Sequence, residues 1–159
     1  MNLTIRRATA TDEKVLVAFN TAIAWETEDK RLDPAVLTAG VRAVLSDSAR
    51  GFYTVVERDG EVVGQIMVTF EWSDWRNGWF WWVQSVYVRE DARRSGVFRS
   101  LYRAIEQQAT SDPAVIGIRL YFDRENTRAQ ATYHALGMSE TEYGMMEVYP
   151  LAGRDAHIG

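Results

Sequence analysis

The segment over residues 86–99 combines residue types that bind an anion. It reads as a buried strand, a charged turn, a bend at Gly96 and then a helix. The first N–H groups of a helix lack intrahelical partners and lie at the positive end of its dipole, so they attract phosphate. Gly96 would let a ligand approach the backbone, and Arg93, Arg94 and Arg99 add positive charge. The local spacing alone favours an anion site about as strongly as an ordinary helix start with solvated arginines.

Composition excludes several other kinds of chemistry. The chain has no cysteine, so disulfides, cysteine-ligated zinc and a thiol nucleophile are ruled out. With only His134 and His157 and no G-x-S-x-G turn, it offers little to a serine hydrolase or a histidine metal site, and we expect no metal. A net charge of −4 argues against a nucleic-acid partner, which would need a basic surface.

Hydropathy predicts a cytoplasmic protein with one domain and no membrane partner. The amino-terminal residues form no apolar signal segment, and no run approaches the roughly 18 apolar residues that a membrane span needs. The 159 residues are 47% hydrophobic and 25% charged, without repeats or linkers, which is typical of a single globular domain over residues 1–159.

The first half of the chain predicts two helices followed by a strand meander. Residues 3–8 read as a strand, a helix follows the cap near Asp12, and Asp33-Pro34 starts a second helix. Strands over 52–58, 61–72 and 79–88 then follow with a period of two, the first two joined by an Asp-Gly hairpin turn. Alternation places one set of residues of the middle strand on a single face: Val62, Gly64, Ile66, Val68, Phe70 and Trp72.

The second half predicts a crossover and a final strand. A helix over 93–109 leads to an apolar strand over 115–122, a short helix over 127–136 and a last strand over 143–149. The order β-α-α-β-β-β-α-β-α-β indicates an α/β (α+β) domain with a mixed sheet, antiparallel at the hairpins and parallel at the helix crossover.

Two motifs in this order resemble those of the GCN5-related N-acetyltransferases, the GNAT family. Arg93-x-x-Gly96-x-Phe98 is similar to the family's Q/R-x-x-G-x-G/A loop after the fourth strand. Residues 126–138 are similar to its N-x-x-A-x-x-x-Y-x-x-x-G-F segment, through Asn126, Ala129, Tyr133, Gly137 and Met138. The resemblance implies a twisted mixed sheet of six to seven strands with about four helices on both faces, and acetyl-CoA as the acyl donor.

The resemblance also implies roles for the residues that match the motifs. The fourth strand would align the thioester, with the Val86 N–H polarising its carbonyl, and Tyr133 would protonate the departing thiolate as general acid. The residues implied to bind acetyl-CoA are Val86, Tyr87, Val88, Arg93, Arg94, Ser95, Gly96, Val97, Phe98, Arg99, Asn126 and Tyr133. Phe98 departs from the family's Gly or Ala, and we expect its ring to turn toward the core while its N–H still binds pyrophosphate.

The general base stays open at the sequence level. Family members often carry a base on the fourth strand, where this chain has Gln84, which cannot accept the proton of an ammonium. The acceptor-side candidates are therefore Glu26, Glu28, Glu71 and Asp74, with Gln84 beside them. For each of these carboxylates a solvated surface position is the alternative.

Residues 71–82 hold five of the six tryptophans. Alternation sends their rings to both faces of the sheet, so one set must meet a second subunit, an acceptor or a covering helix. The hairpin resembles that of diamine and polyamine acetyltransferases, and the carboxylates near it favour a small cationic amine as acceptor.

The sequence therefore predicts an acetyl-CoA-dependent N-acetyltransferase. Its acceptor would be a primary amine of a small molecule, attacking directly in a ternary complex, and the protein would form a homodimer. The alternative is a non-catalytic acyl-CoA-binding or regulatory module, which Gln84 at a common base position and Phe98 in the loop favour.

Overall fold

A computed structural model describes residues 2–157. It contains five strands and four α-helices: β1 (Leu3–Arg7), α1 (Glu13–Glu28), α2 (Pro34–Ser46), β2 (Phe52–Arg58), β3 (Glu61–Ser73), β4 (Gly78–Val88), α3 (Val97–Ser111), β5 (Val115–Leu120) and α4 (Thr127–Ala135). None of the helices in this part of the chain is long and apolar enough to cross a membrane.

The strands form one mixed sheet in the order β1-β2-β3-β4-β5. The first four are antiparallel neighbours, and β5 is parallel to β4 because α3 carries the chain back between them. The turn between β2 and β3 has both Asp59 and Gly60 at positive φ, 53° and 86°, as a two-residue hairpin requires. The mixed sheet and the hairpin are therefore confirmed.

The predicted sixth strand is absent from the described residues. Residues 143–149 form no strand, and Tyr143, Met145, Met146 and Val148 are exposed. The apolar and aromatic residues of this segment favour a strand by side-chain type, whereas a strand also needs a neighbouring edge for its backbone hydrogen bonds. The expectation of six to seven strands is therefore too high, and the sheet has five.

Helices cover both faces of the sheet. On one face α3 packs Val97, Leu101 and Ile105 against core residues of β2, β3 and β4. On the other face α1 and α2 contribute Leu16 and Val41 to a second apolar cluster. Each face thus buries its own core, and β2 and β3 contribute side chains to both.

A bulge in β3 changes which face of the sheet its alternate side chains meet. The β2–β3 register passes from Val56 opposite Gly64 to Glu57 opposite Val62, which leaves Val63 as an extra residue. Val62 therefore packs with the α1 and α2 cluster, whereas Ile66 packs with the α3 cluster. The prediction that Val62 shares a face with Ile66 is wrong, because one inserted residue inverts the alternation.

Helix α3 begins later than its sequence pattern predicts. Residues Arg94 and Gly96 have φ of 61° and 80°, in the left-handed region, so the helix starts at Val97 rather than near residue 93. By contrast, α2 starts as predicted, since Asp33 accepts hydrogen bonds from the N–H groups of Ala35 and Val36.

Candidate active site

Strands β4 and β5 diverge before β4 ends. Their parallel pairing runs from Trp79 opposite Val115 to Val83 opposite Leu120, where β5 stops. Residues 84–88 of β4 therefore have no β5 partner. The backbone along this edge of β4 is open to a ligand that lies like an added strand.

A bulge distorts β4 where the two strands separate. Gln84 lies opposite Met67 and Tyr87 opposite Gln65, so Ile66 alone faces both Ser85 and Val86. Ser85 has φ of 49°, in the left-handed region that favours glycine. The distortion leaves Val86 without a paired residue on either neighbouring strand.

The start of α3 forms a cradle for an anion. Within residues 2–157 the N–H groups of Gly96, Val97 and Phe98 donate no hydrogen bond. A Cβ built on Gly96 would meet no atom within 4 Å, so the space in front of this backbone is open. Unpaired N–H groups at the positive end of a 15-residue helix suit a phosphate.

This cradle opens into a cleft of about 800 Å³, here called the anion cleft. Its lining includes Gly96, Phe98, Arg94, Arg99, Arg128 and Thr132. Arg94 and Arg99 near the start of α3, and Arg128 in the first turn of α4, supply the positive charge that a pyrophosphate requires. Arg128 was not among the predicted residues, although its place two residues after Asn126 could have drawn attention to it.

Arg93 also borders the anion cleft, but its side chain is held by protein groups. Its Nε donates to the Val88 carbonyl at 2.8 Å, and its NH2 group lies 2.6 Å from a carboxylate oxygen of Glu26. The guanidinium also lies 5.4 Å from the centre of the Tyr87 ring. Arg93 thus ties the cradle to the end of α1.

Tyr133 lies on α4 at the edge of a larger cleft of about 900 Å³, here called the aromatic cleft. Burial raises the pKa of its hydroxyl above the ordinary 10.0, so the phenol is protonated at neutral pH. Within residues 2–157 this hydroxyl makes no hydrogen bond. Asn126 caps α4, its Oδ1 accepting from the Ala129 N–H at 3.0 Å.

Phe98 packs toward Tyr133 rather than into the core. The two ring centres are 6.2 Å apart with the rings tilted by 73°, and the centre of the Tyr102 ring lies 6.4 Å from that of Phe98. In this turn it is the side chain of Val97 that packs into the core, with 2% exposure. The expectation for the Phe98 ring is therefore wrong, because the helix begins at Val97 and directs Phe98 along α4.

The acceptor-side candidates separate into two places. Glu71 and Asp74 line the aromatic cleft together with Tyr133. Glu26 lines a third cleft of about 740 Å³ beneath the end of α1, with Val86 and Tyr87. Glu28 is exposed and belongs to the lining of none of these three clefts.

Some candidate side chains are already engaged. A carboxylate oxygen of Glu71 accepts from Arg119 at 2.8 Å and from the indole of Trp82 at 3.1 Å. The Gln84 amide donates to the Thr69 hydroxyl at 2.5 Å, in a position without a base. Asp74 is exposed, and its Oδ1 accepts only the Trp75 N–H among the described residues.

Three arginines balance three carboxylates in the aromatic cleft. The arginines are Arg76, Arg119 and Arg124, and the carboxylates are Glu71, Asp74 and Glu140. Arg119 and Tyr121 were not predicted as site residues. They alternate along the chain with the apolar Ile118 and Leu120, which indicates that their side chains face the opposite way.

The tryptophans of the hairpin lie in different environments. Trp81 packs on Phe52 with ring centres 5.3 Å apart, and Trp82 stacks near Tyr121 at 4.5 Å in the aromatic cleft. Three others, Trp72, Trp75 and Trp79, are 48%, 87% and 38% exposed. A covering helix does not explain these three, and the homodimer stays a prediction.

Comparison with known proteins identifies the family. The model of the Acetyltransferase (GNAT) family matches residues 16–138, which include the β4 bulge, the cradle and α4. The chain belongs to the GNAT acetyltransferase family. No curated protein matches it.

Several solved structures share this GNAT fold. A possible acetyltransferase from Clostridium difficile 630 is 46% identical, with a TM-score of 0.88 over 93% of this chain and 97% of the other. The structure of AAC(6')-Iy with a bisubstrate analogue, CoA-S-monomethyl-acetylneamine, is 17% identical, with a TM-score of 0.77 over 93% and 98%. Glucosamine-6-phosphate N-acetyltransferase from Arabidopsis thaliana is also 17% identical, with a TM-score of 0.71 over 94% and 99%.

Proposed function

We propose that this GNAT protein transfers the acetyl group of acetyl-CoA to a primary amine of a small molecule. The observation that carries the proposal is the juxtaposition of three features: Gly96 of the cradle and Val88 at the unpaired end of β4 line one cleft, and Phe98 of the cradle contacts the ring of Tyr133. An anion site, an open strand edge and a proton donor next to one another suit a phosphate-bearing thioester and its leaving group.

The residues present fit the donor substrate. The cradle at Gly96, with Arg94, Arg99 and Arg128, would hold the pyrophosphate. The unpaired backbone of residues 86–88 would align the pantetheine arm through hydrogen bonds of the kind that an added strand makes. Bound there, acetyl-CoA supplies an activated acyl group.

The Val86 N–H would stabilise the developing oxyanion. Val86 has no paired residue on β3 or β5, and in this proposal its N–H donates to the thioester carbonyl. One such donor, fixed before the reaction, is worth about 3 kcal/mol in other enzymes. No nucleophile of the protein is required, in keeping with the absence of cysteine.

The proposed transfer is a direct attack in a ternary complex. The neutral amine nitrogen forms a bond to the acetyl carbon, and the carbon–sulfur bond breaks with its electron pair going to sulfur. Tyr133 gives its phenolic proton to the thiolate and is reprotonated from solvent. The proton lost by the amine nitrogen passes to a carboxylate or to water, so the products are the acetylated amine and free CoA thiol.

We propose a small cationic amine as the acceptor class. Support comes from Asp74, which is exposed at the aromatic cleft, and from Trp72 and Trp75 beside it, whose rings can contact an ammonium group. The Arg119 partner of Glu71 reduces the field that this carboxylate can offer. Binding of a second ammonium group thus falls mainly to Asp74.

An acceptor screen that detects free thiol tests the proposed function. Purified protein is mixed with acetyl-CoA and single amines: diamines, polyamines, amino sugars and neutral primary amines. We expect amine-dependent thiol release, with an equal amount of acetylated amine by mass spectrometry. Tight acetyl-CoA binding without thiol release for any amine would contradict the proposal and favour the non-catalytic acyl-CoA-binding module.

A further inference from the structure

Gln65 is a fully buried polar side chain in the middle of β3. Its exposure is 0%, and its Oε1 has no hydrogen-bond partner among the described residues. Its Nε2 makes one hydrogen bond, donated to the carbonyl oxygen of Ser85 in β4 at 2.9 Å. Burying an amide with an unpaired oxygen carries a desolvation cost that a methionine of similar shape would avoid. The burial of Gln65 therefore indicates a role for the one hydrogen bond that it donates to Ser85.

That hydrogen bond acts on the distorted point of β4. Ser85 is the first residue of the bulge and adopts φ of 49°, which a serine seldom does without support. An extended Ser85 would move the backbone of Val86 and change the two-against-one pairing opposite Ile66. The Gln65 amide opposes that change by holding the Ser85 carbonyl.

The geometry of one peptide unit connects this bond to the open cleft. The Ser85 carbonyl and the Val86 N–H belong to the same planar trans peptide, so they point in opposite directions. Gln65 lies on β3 and holds the carbonyl from that side. The Val86 N–H must then point away from the Gln65 amide, at a position where β4 has no β5 partner.

We propose that Gln65 is a positioning residue that aims the Val86 N–H into the opening between β4 and β5. This rests on the proposed function, in which that N–H donates to the thioester carbonyl. Gln65 touches neither substrate and acts only through the Ser85 peptide.

The variant Gln65→Met tests this role, since it keeps the shape and removes the donor. Thr54→Val is the matched control, because Thr54 is 1% exposed and its hydroxyl also has no partner within residues 2–157, yet it lies on β2 away from β4. We expect Gln65→Met to lower kcat by about tenfold to a hundredfold, as a displaced catalytic group does. The dissociation constant of CoA should remain within about twofold of wild type, because the cradle is separate, and Thr54→Val should preserve both.

Wild-type kcat in folded Gln65→Met would overturn the inference. So would parallel losses of kcat and CoA affinity, because these indicate general damage. Gln65→Leu is the second variant if the methionine protein does not fold. Failure of both to fold would assign Gln65 to stability alone and also overturn the inference.

A binding readout separates this inference from the proposed function. The amide proton of Val86 is followed by NMR while acetyl-CoA or CoA is added. In wild type we expect acetyl-CoA to shift this proton downfield relative to CoA, because only acetyl-CoA carries a carbonyl acceptor, and Gln65→Met should abolish the difference. That result in a protein that acetylates no amine would support the inference and contradict the proposed function. Equal Val86 shifts in wild type and Gln65→Met would overturn the inference, with or without turnover.

Discussion

The ring of Phe98, in the first turn of α3, lies 6.2 Å from the ring of Tyr133 on α4, edge to face at 73°. The loop that would hold pyrophosphate therefore contacts the residue that would protonate the leaving thiolate. In this protein Phe98 replaces the small residue of the family motif and supports the Tyr133 ring.

Replacing Phe98 by Ala should slow turnover without weakening cofactor binding. The Tyr133 ring would lose its edge contact, and we expect kcat to fall by about tenfold, as for a displaced general acid. Affinity for acetyl-CoA should be unchanged, because the Phe98 N–H remains. Steady-state kinetics and calorimetry check this, with Phe98→Leu as the control that keeps apolar volume. Wild-type kcat in the alanine variant would refute the supporting role.

Replacing Gly96 by Glu should block the cradle. The side chain would enter the open space before the N–H groups, add negative charge and strain a residue at φ of 80°. We expect the dissociation constant of CoA, measured by calorimetry, to rise by more than about tenfold. Gly60→Glu is a matched control, with φ of 86° and the same charge, in the β2–β3 turn. Equal CoA affinity in folded Gly96→Glu and in Gly60→Glu would refute pyrophosphate binding at this loop.

The local features of the fold and site could be predicted from the sequence. Asp59-Gly60 prefers a hairpin turn wherever it occurs, and Gly96 marks a left-handed residue before a helix. The alternation in β4 and the helical spacing in α3 depend on residues a few positions apart. The element order through α4, the crossover and the GNAT family followed from these local patterns.

Features that depend on distant contacts could not be predicted. The bulge at Ser85 and Val86 exists because β3 offers them one residue, Ile66, in register. Residues 143–149 contain apolar and aromatic residues that favour a strand, but they pair with no strand edge in the described chain. The direction of the Phe98 ring depends on where α4 packs against α3. The spacing of residues within the motif carries no information about that packing.

Glu26 should act as a partner of Arg93 rather than as the general base. Their atoms are 2.6 Å apart at an exposed site, where such a pair contributes about 0–1 kcal/mol. We therefore expect Glu26→Gln and Arg93→Gln each to change kcat by less than about fivefold. Steady-state kinetics of the two single variants and the double variant would check this. A loss of kcat near a hundredfold in Glu26→Gln alone would instead identify Glu26 as the base.

Asp74 should serve acceptor binding. Because its carboxylate borders the aromatic cleft, Asp74→Asn should raise the KM of a diamine by about two- to fivefold, the effect of an exposed charge pair, while kcat changes less. Glu28→Gln is the control, since Glu28 lines none of the three clefts. The KM of a neutral primary amine should not respond. Identical diamine KM values for both variants and wild type would contradict the proposal that Asp74 binds a cationic acceptor.

Tyr133 is the residue on which the proposed chemistry depends most. Since burial raises its pKa above 10.0, its acid form persists through neutral pH, and the alkaline decline in kcat that it causes should lie above that value. Tyr133→Phe keeps the ring that contacts Phe98 and removes only the hydroxyl.

The most direct measurement is the single-turnover rate of acetyl transfer in Tyr133→Phe and in wild type. Each protein, saturated with acetyl-CoA, is mixed with excess amine, and acetylated amine and free thiol are quantified together over time. We predict equal amounts of both products in wild type, and a rate lower by about 10²–10⁴-fold in Tyr133→Phe, the usual loss of a general acid, with unchanged acetyl-CoA affinity. An equal rate in the two proteins, or thiol release without acetylated amine in wild type, would contradict the account.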